Sequence, residues 1–137
     1  MPSLTGVLET SLYVEDLDRA SRFYEETLGL TRIEGDDRFR AYGVAGRSVL
    51  LLFKRGASNR VGGLPEGGLG PHDGSGPLHL AFSISAEDLP AWEKQLVERG
   101  IAIETRIEWP RGDRSIYFRD PDNHSVELAT PGIWSIY

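Results

Sequence analysis

Apolar and polar positions alternate along residues 7–14: Leu8, Thr10, Leu12 and Val14 fall on one face and Val7, Glu9, Ser11 and Tyr13 on the other, which predicts a β-strand. The spacing then changes to helical over residues 17–28, where Leu17, Ala20, Phe23, Tyr24, Thr27 and Leu28 recur on one side. Asp16 is placed to cap this helix and Gly29 to stop it. Residues 38–44 and 48–54 predict two strands joined by Ala45-Gly46-Arg47, and residues 30–33 supply another. About seventy residues further on the pattern recurs. Leu8-Glu9-Thr10-Ser11-Leu12-Tyr13-Val14 is answered by Leu78-His79-Leu80-Ala81-Phe82-Ser83-Ile84, and Glu15-Asp16-Leu17 by Glu87-Asp88-Leu89. A helix over residues 87–99 follows, with Leu89, Trp92, Leu96 and Val97 inward and Pro90 in its first turn, and then strands over 101–107, 114–119 and 125–130. Each half reads β-α-β-β-β, and a near-constant offset across a strand and a helix marks an internal duplication.

Between the halves the texture breaks down. Residues 55–77 are rich in glycine and proline, so they form a linker between a first module, 5–54, and a second, 78–130, with a tail at 131–137. A linker of this length beside His79 is expected to act as a lid as well. Its glycines lack the Gly-Lys-Ser/Thr ending of a phosphate loop. The 137 residues amount to one domain built of two modules, small enough that a second subunit is expected to complete a pocket.

Composition narrows the chemistry. Without cysteine, a bound metal has to be held by His, Asp or Glu. A net charge of −6 with scattered basic residues argues against nucleic acid, and no apolar run approaches a membrane span. Met1-Pro2-Ser3-Leu4 does not begin a signal peptide, and a soluble cytoplasmic protein is expected.

The duplication sets Glu9 and His79 at matched positions, and alternation in Val126-Glu127-Leu128 turns Glu127 away from the core face. Taken singly, each has an ordinary reading as a solvated carboxylate or a hydrogen-bonded core histidine. Together, three hard or imidazole donors on rigid strands match a divalent cation with open positions for substrate or water. Aligning Ser48-Val49-Leu50 with Ser125-Val126-Glu127 puts Leu50 where a fourth ligand would stand. Tyr117 shares a face with Ser115 and is a candidate hydrogen-bond donor to the same cavity. Trp109 and Arg114, at a Pro110/Gly112 loop with Arg111, and His72 in the linker are candidate substrate contacts, each with an ordinary surface or packing role as the alternative. His124 is expected at the surface, and Trp134 is expected to pack on its own domain or on a partner subunit.

The run Leu12-Tyr13-Val14-Glu15-Asp16-Leu17-Asp18-Arg19-Ala20, with Phe23-Tyr24 and Leu28-Gly29-Leu30, then His79-Leu80-Ala81-Phe82, Tyr117-Phe118-Arg119-Asp120-Pro121-Asp122-Asn123 and Val126-Glu127-Leu128, resembles the vicinal oxygen chelate superfamily. That group includes glyoxalase I, bleomycin-resistance proteins, fosfomycin-resistance enzymes, methylmalonyl-CoA epimerase and extradiol dioxygenases. The resemblance implies an α+β fold of two βαβββ modules whose mixed sheets cup a divalent metal, commonly in a homodimer. It maps metal ligation onto Glu9, His79 and Glu127, with Mn²⁺, Fe²⁺, Zn²⁺ or Ni²⁺ as the ion and Glu9 or Glu127 as a base. One histidine with two carboxylates departs from the two-histidine iron site of extradiol dioxygenases and favours harder ions such as Mn²⁺. The expected function is a metal-dependent lyase, isomerase, transferase or dioxygenase acting on a small molecule with vicinal oxygens. The alternative is a metal-free module of the bleomycin-resistance kind that sequesters its ligand.

Overall fold

A computed structural model describes residues 1–59 and 70–137. The centre of the expected lid, residues 60–69, lies outside the described residues. The chain divides into two compact units, Met1–Ser75 and Gly76–Tyr137, each described by itself below. Among the described residues no helix is long and apolar enough to cross a membrane.

In the first unit β1 (Glu9–Val14) leads through α1 (Leu17–Arg22) to β2 (Thr31–Gly35), β3 (Phe39–Val44) and β4 (Ser48–Lys54). The sheet order is β1-β4-β3-β2, with β1 and β4 parallel and the other pairs antiparallel. The predicted alternation is observed: Leu12, Val14, Leu50, Leu52 and Tyr42 are buried together with Leu17, Ala20 and Tyr24 of the helical segment. The other sheet face carries Glu9, Ser11, Tyr13, Leu51 and Phe53 and lines a concavity. Asp16 caps α1, its Oδ1 accepting from the Arg19 N–H at 3.0 Å.

The helix is not regular to Leu28 as the spacing predicts. Its last five residues, Phe23–Thr27, widen into a π-helical turn, with Phe23, Tyr24 and Thr27 buried in it. The cause is tertiary: Glu25 Oε1 accepts from Arg32 at 2.7 and 2.9 Å and from the Tyr42 hydroxyl at 3.0 Å, tying the turn to β2 and β3.

The second unit repeats the plan as β5 (His79–Ser83), α2 (Leu89–Glu98), β6 (Thr105–Glu108), β7 (Arg114–Arg119) and β8 (Ser125–Ala129), with sheet order β5-β8-β7-β6. Pro90 sits in the first turn of α2, and a Schellman closure ends the helix, the Ile101 N–H reaching the Leu96 carbonyl at 2.8 Å with Gly100 at φ 73. Leu89 and Leu96 are buried with Ile116, Phe118, Val126 and Leu128. Val97, expected inward, is 65% exposed, because the apolar stripe of this ten-residue helix is only wide enough for Leu89, Trp92 and Leu96. The strand expected over residues 101–107 starts only at Thr105: residues 101–103 carry the chain out of the helix closure, and the Glu104 N–H then meets the Tyr117 carbonyl at 2.8 Å where pairing with β7 opens.

Strand register corrects the alignment of the modules. Glu9 pairs with Val49 on β4 and His79 pairs with Ser125 on β8, so two residues further along Leu51 matches Glu127. Leu50, expected at the ligand position, instead matches Val126, and both face the core.

Candidate metal centre

Glu127 sits in the middle of the second sheet. Its neighbours in register are Ala81 on the parallel strand β5 and Tyr117 on the antiparallel strand β7, so it projects from the face opposite Val126 and Leu128. It is only 5% exposed, and its Oε1 has no hydrogen-bond partner among the described residues. A buried carboxylate oxygen left unpaired is costly, and such an orphan asks for a cation or a proton.

The neighbouring histidine sharpens that demand. His79 Nδ1 lies 3.0 Å from the Ser125 carbonyl and Nε2 lies 3.3 Å from Glu127 Oε2. A carbonyl only accepts, so Nδ1 carries the proton and donates it. In a neutral ring Nε2 then turns a lone pair toward a carboxylate oxygen, an arrangement that repels unless a positive charge lies between the two atoms. A divalent ion fits this donor set: one imidazole nitrogen whose other nitrogen is held by a backbone carbonyl, and a carboxylate with a free oxygen.

Tyr117 closes one side. Its ring stacks on His79 with centroids 6.2 Å apart and an interplanar angle of 23°. Burial first, and then its hydrogen bond to the Glu127 carboxylate, hold its phenol above the ordinary value, so it is a donor at neutral pH. His79, Tyr117 and Glu127 line a cavity of about 490 Å³ with Ala81, Trp109, Ile133 and Trp134. The Trp109 indole N–H is held by Ser115 Oγ at 3.0 Å, which fixes its ring as a wall.

The remaining candidates fall elsewhere. Glu9 is exposed at the start of β1 in the first unit, where it lines a concavity of about 690 Å³ with Tyr13, Phe53 and His72. His72 is half-buried there, its Nδ1 2.9 Å from the Tyr13 hydroxyl and its ring edge-on to Phe53 at 4.6 Å. Arg114 is exposed and does not line the cavity of the second unit, because strand alternation places it with Ile116 rather than Tyr117. Among the described residues no group of three or more candidate ligands is assembled.

One sequence expectation changes. His124 is fully buried rather than at the surface, its Nδ1 accepting from the Leu78 N–H at 2.9 Å. Trp134 is 68% exposed and lines the cavity of its own unit beside Ile133. Sequence reading missed His124 because a turn residue after Asp120-Pro121-Asp122-Asn123 looks solvated; its flanking by a strand start was the available signal. Ile133 and Trp134 reach the cavity from a tail with no periodicity to place them.

Comparison with known proteins bears on what such a site does. The model of the Glyoxalase/Bleomycin resistance protein/Dioxygenase superfamily matches residues 6–128. Metallothiol transferase FosB of Staphylococcus epidermidis is 32% identical over 129 residues, covering 93% of this chain and 82% of that protein. The match to metallothiol transferase FosB of Bacillus licheniformis is local, 49% identical over 57 residues, so it spans 41% of this chain and 37% of that protein. A crystal structure of lactoylglutathione lyase from Agrobacterium tumefaciens has a TM-score of 0.89 at 29% identity, covering 98% of this chain and 99% of that one.

Proposed function

Since the chain belongs to the glyoxalase/bleomycin resistance protein/dioxygenase superfamily, we propose that it is a divalent-metal-dependent enzyme acting on a small molecule with adjacent oxygen atoms. Of the reactions the fold serves, transfer of a thiol or rearrangement of a thiol adduct is favoured, because metallothiol transferases and a lactoylglutathione lyase are among its relatives. The observation that carries the metal is the His79 Nε2 to Glu127 Oε2 approach of 3.3 Å beside an orphaned Glu127 Oε1. Glu9, at the strand position matched to His79, is the proposed third ligand, supplied within the chain or by a partner copy in a homodimer.

A bound divalent ion would polarise the substrate oxygens and stabilise negative charge developing on them. Around it the chain's own groups have distinct tasks. His79 and Glu127 hold the ion, and Tyr117 keeps a proton on its hydroxyl beside Glu127, where it donates a hydrogen bond. Trp109 and Trp134 narrow the cavity and exclude water from the reacting atoms. Of the two carboxylates Glu9 is the more exposed, and so the one freer to leave the ion and take up a proton as base.

Titration calorimetry of the EDTA-treated protein with Mn²⁺, Fe²⁺, Zn²⁺ and Ni²⁺ tests this reading, alongside His79→Ala. The expected result is about one ion per chain for wild type and none for the variant. Negligible uptake by both would leave the sequestration reading, for which the aromatic wall of Trp109, Tyr117 and Trp134 speaks. A metal-reconstituted screen of thiols with epoxides and of α-ketoaldehyde–thiol adducts then separates transfer from rearrangement of the adduct.

A further inference from the structure

The β5–β8 ladder ends in an unusual way next to His79. In a parallel ladder a residue whose carbonyl accepts from one position on the next strand donates its own N–H to the carbonyl two positions earlier. The Leu78 carbonyl accepts from the Ser125 N–H at 2.8 Å, so the regular acceptor for the Leu78 N–H is the Asn123 carbonyl. That carbonyl instead takes a bond from the Arg119 guanidinium at 3.1 Å, and Asn123 itself has turned to φ 65. The imidazole of His124 stands in for it, Nδ1 accepting from the Leu78 N–H at 2.9 Å. His124 is in turn held by its own backbone, whose N–H donates to the buried Asp120 carboxylate at 2.8 Å and whose carbonyl accepts from the Asp120 N–H at 3.1 Å.

From these contacts we infer that His124 is a positioning residue for His79. It clamps the backbone immediately before His79, while the next residue, Ser125, presents the carbonyl that holds His79 Nδ1–H. The dipeptide His124-Ser125 thus sets both where β5 starts and which nitrogen of His79 is free to face Glu127. The molecule contains its own contrast: by strand register the first module has Ser48 where the second has His124, and there the matched Leu8 is 66% exposed. The module with the His79–Glu127 pair is the one with the clamp.

The inference rests on the metal reading for its functional weight, and its test separates the two. His124→Asn keeps an acceptor near the position of Nδ1, His124→Gln moves it one methylene outward, and His124→Leu removes it. Mn²⁺ affinity is expected to fall about tenfold to a hundredfold in the Leu and Gln variants and to stay close to wild type in the Asn variant. In metal-free protein, nitrogen-15 spectra of the His79 ring should report the Nδ1–H tautomer in wild type and His124→Asn, and a mixture in His124→Leu. A folded His124→Leu protein with unchanged His79 signals and wild-type Mn²⁺ affinity would overturn the inference, even if its melting temperature drops. If His124→Leu does not fold, Asn and Gln variants equal in both readouts would do so. A wild type that takes up none of Mn²⁺, Fe²⁺, Zn²⁺ and Ni²⁺ defeats the metal reading alone, because the ring spectra still decide the positioning role.

Discussion

At the scale of single residues, Glu127 meets two demands that conflict without a cation: it is buried, and one of its oxygens is unpaired. Glu127→Gln keeps the shape and removes the charge, so Mn²⁺ affinity should fall by at least about tenfold in calorimetry while the circular dichroism spectrum is retained. Tyr117→Phe should separate binding from chemistry. Metal affinity stays near wild type, and kcat falls by about a hundredfold if the phenol donates to a developing charge. Tyr117 also carries a pH signature. A phenol raised by burial and by Glu127 contributes stability that is complete below its unfolded value, about 10, and lost as pH rises through the folded one. Urea unfolding at pH 8 and above pH 10 should therefore find a smaller alkaline loss in Tyr117→Phe than in wild type. The sheet face that Glu127 and His79 occupy was legible because alternation fixes the side on which a strand residue projects. The match of Leu51 rather than Leu50 to Glu127 was not, since register between parallel strands is set by pairing across the sheet.

At the scale of elements, the repeat of strand, helix and three strands was readable throughout, because hydrophobic period and glycine stops are local signals. What local signals missed was set by distant partners. The π-helical turn depends on Glu25 reaching Arg32 and Tyr42, and no 3.6-residue pattern encodes that reach. Removing the carboxylate with Glu25→Ala deprives the buried Tyr42 of that acceptor, and urea unfolding at pH 7 should give a loss of about 1–3 kcal/mol. Burial alone would raise the Glu25 carboxyl, but the hydrogen bonds from Arg32 and Tyr42 outweigh it and hold it below its ordinary value. A depressed carboxyl stabilises the fold above its unfolded value, about 4.3, and that contribution disappears as pH falls through the folded value. The gap between wild type and Glu25→Gln should accordingly close between pH 7 and pH 3.

At the scale of the whole molecule, all three tryptophans, Trp92, Trp109 and Trp134, belong to the second unit, which also holds the His79–Glu127 pair. Tryptophan fluorescence therefore follows the unit that the metal should stabilise. At a free Mn²⁺ concentration of about one hundred times Kd, the fluorescence-detected transition should gain about 2.7 kcal/mol, and His79→Ala should gain nothing. Exposed Leu4, Leu8, Trp134 and Ile136 are consistent with the proposed homodimer. Mixing Glu9→Ala with His79→Ala subunits should restore about one working site per mixed dimer if ligands are shared, and none if each site is completed within one chain. Duplication gives this chain one more property. Two concavities rise from the same strand plan, one floored by Leu51 and the other by Glu127. The first carries Glu9, the proposed third ligand, at the strand position where the second carries His79, and its apolar floor makes it a scaffold for grafting. Leu51→Glu, with Ser48→His to supply the clamp, would ask how few side chains one strand plan needs before it holds an ion of its own.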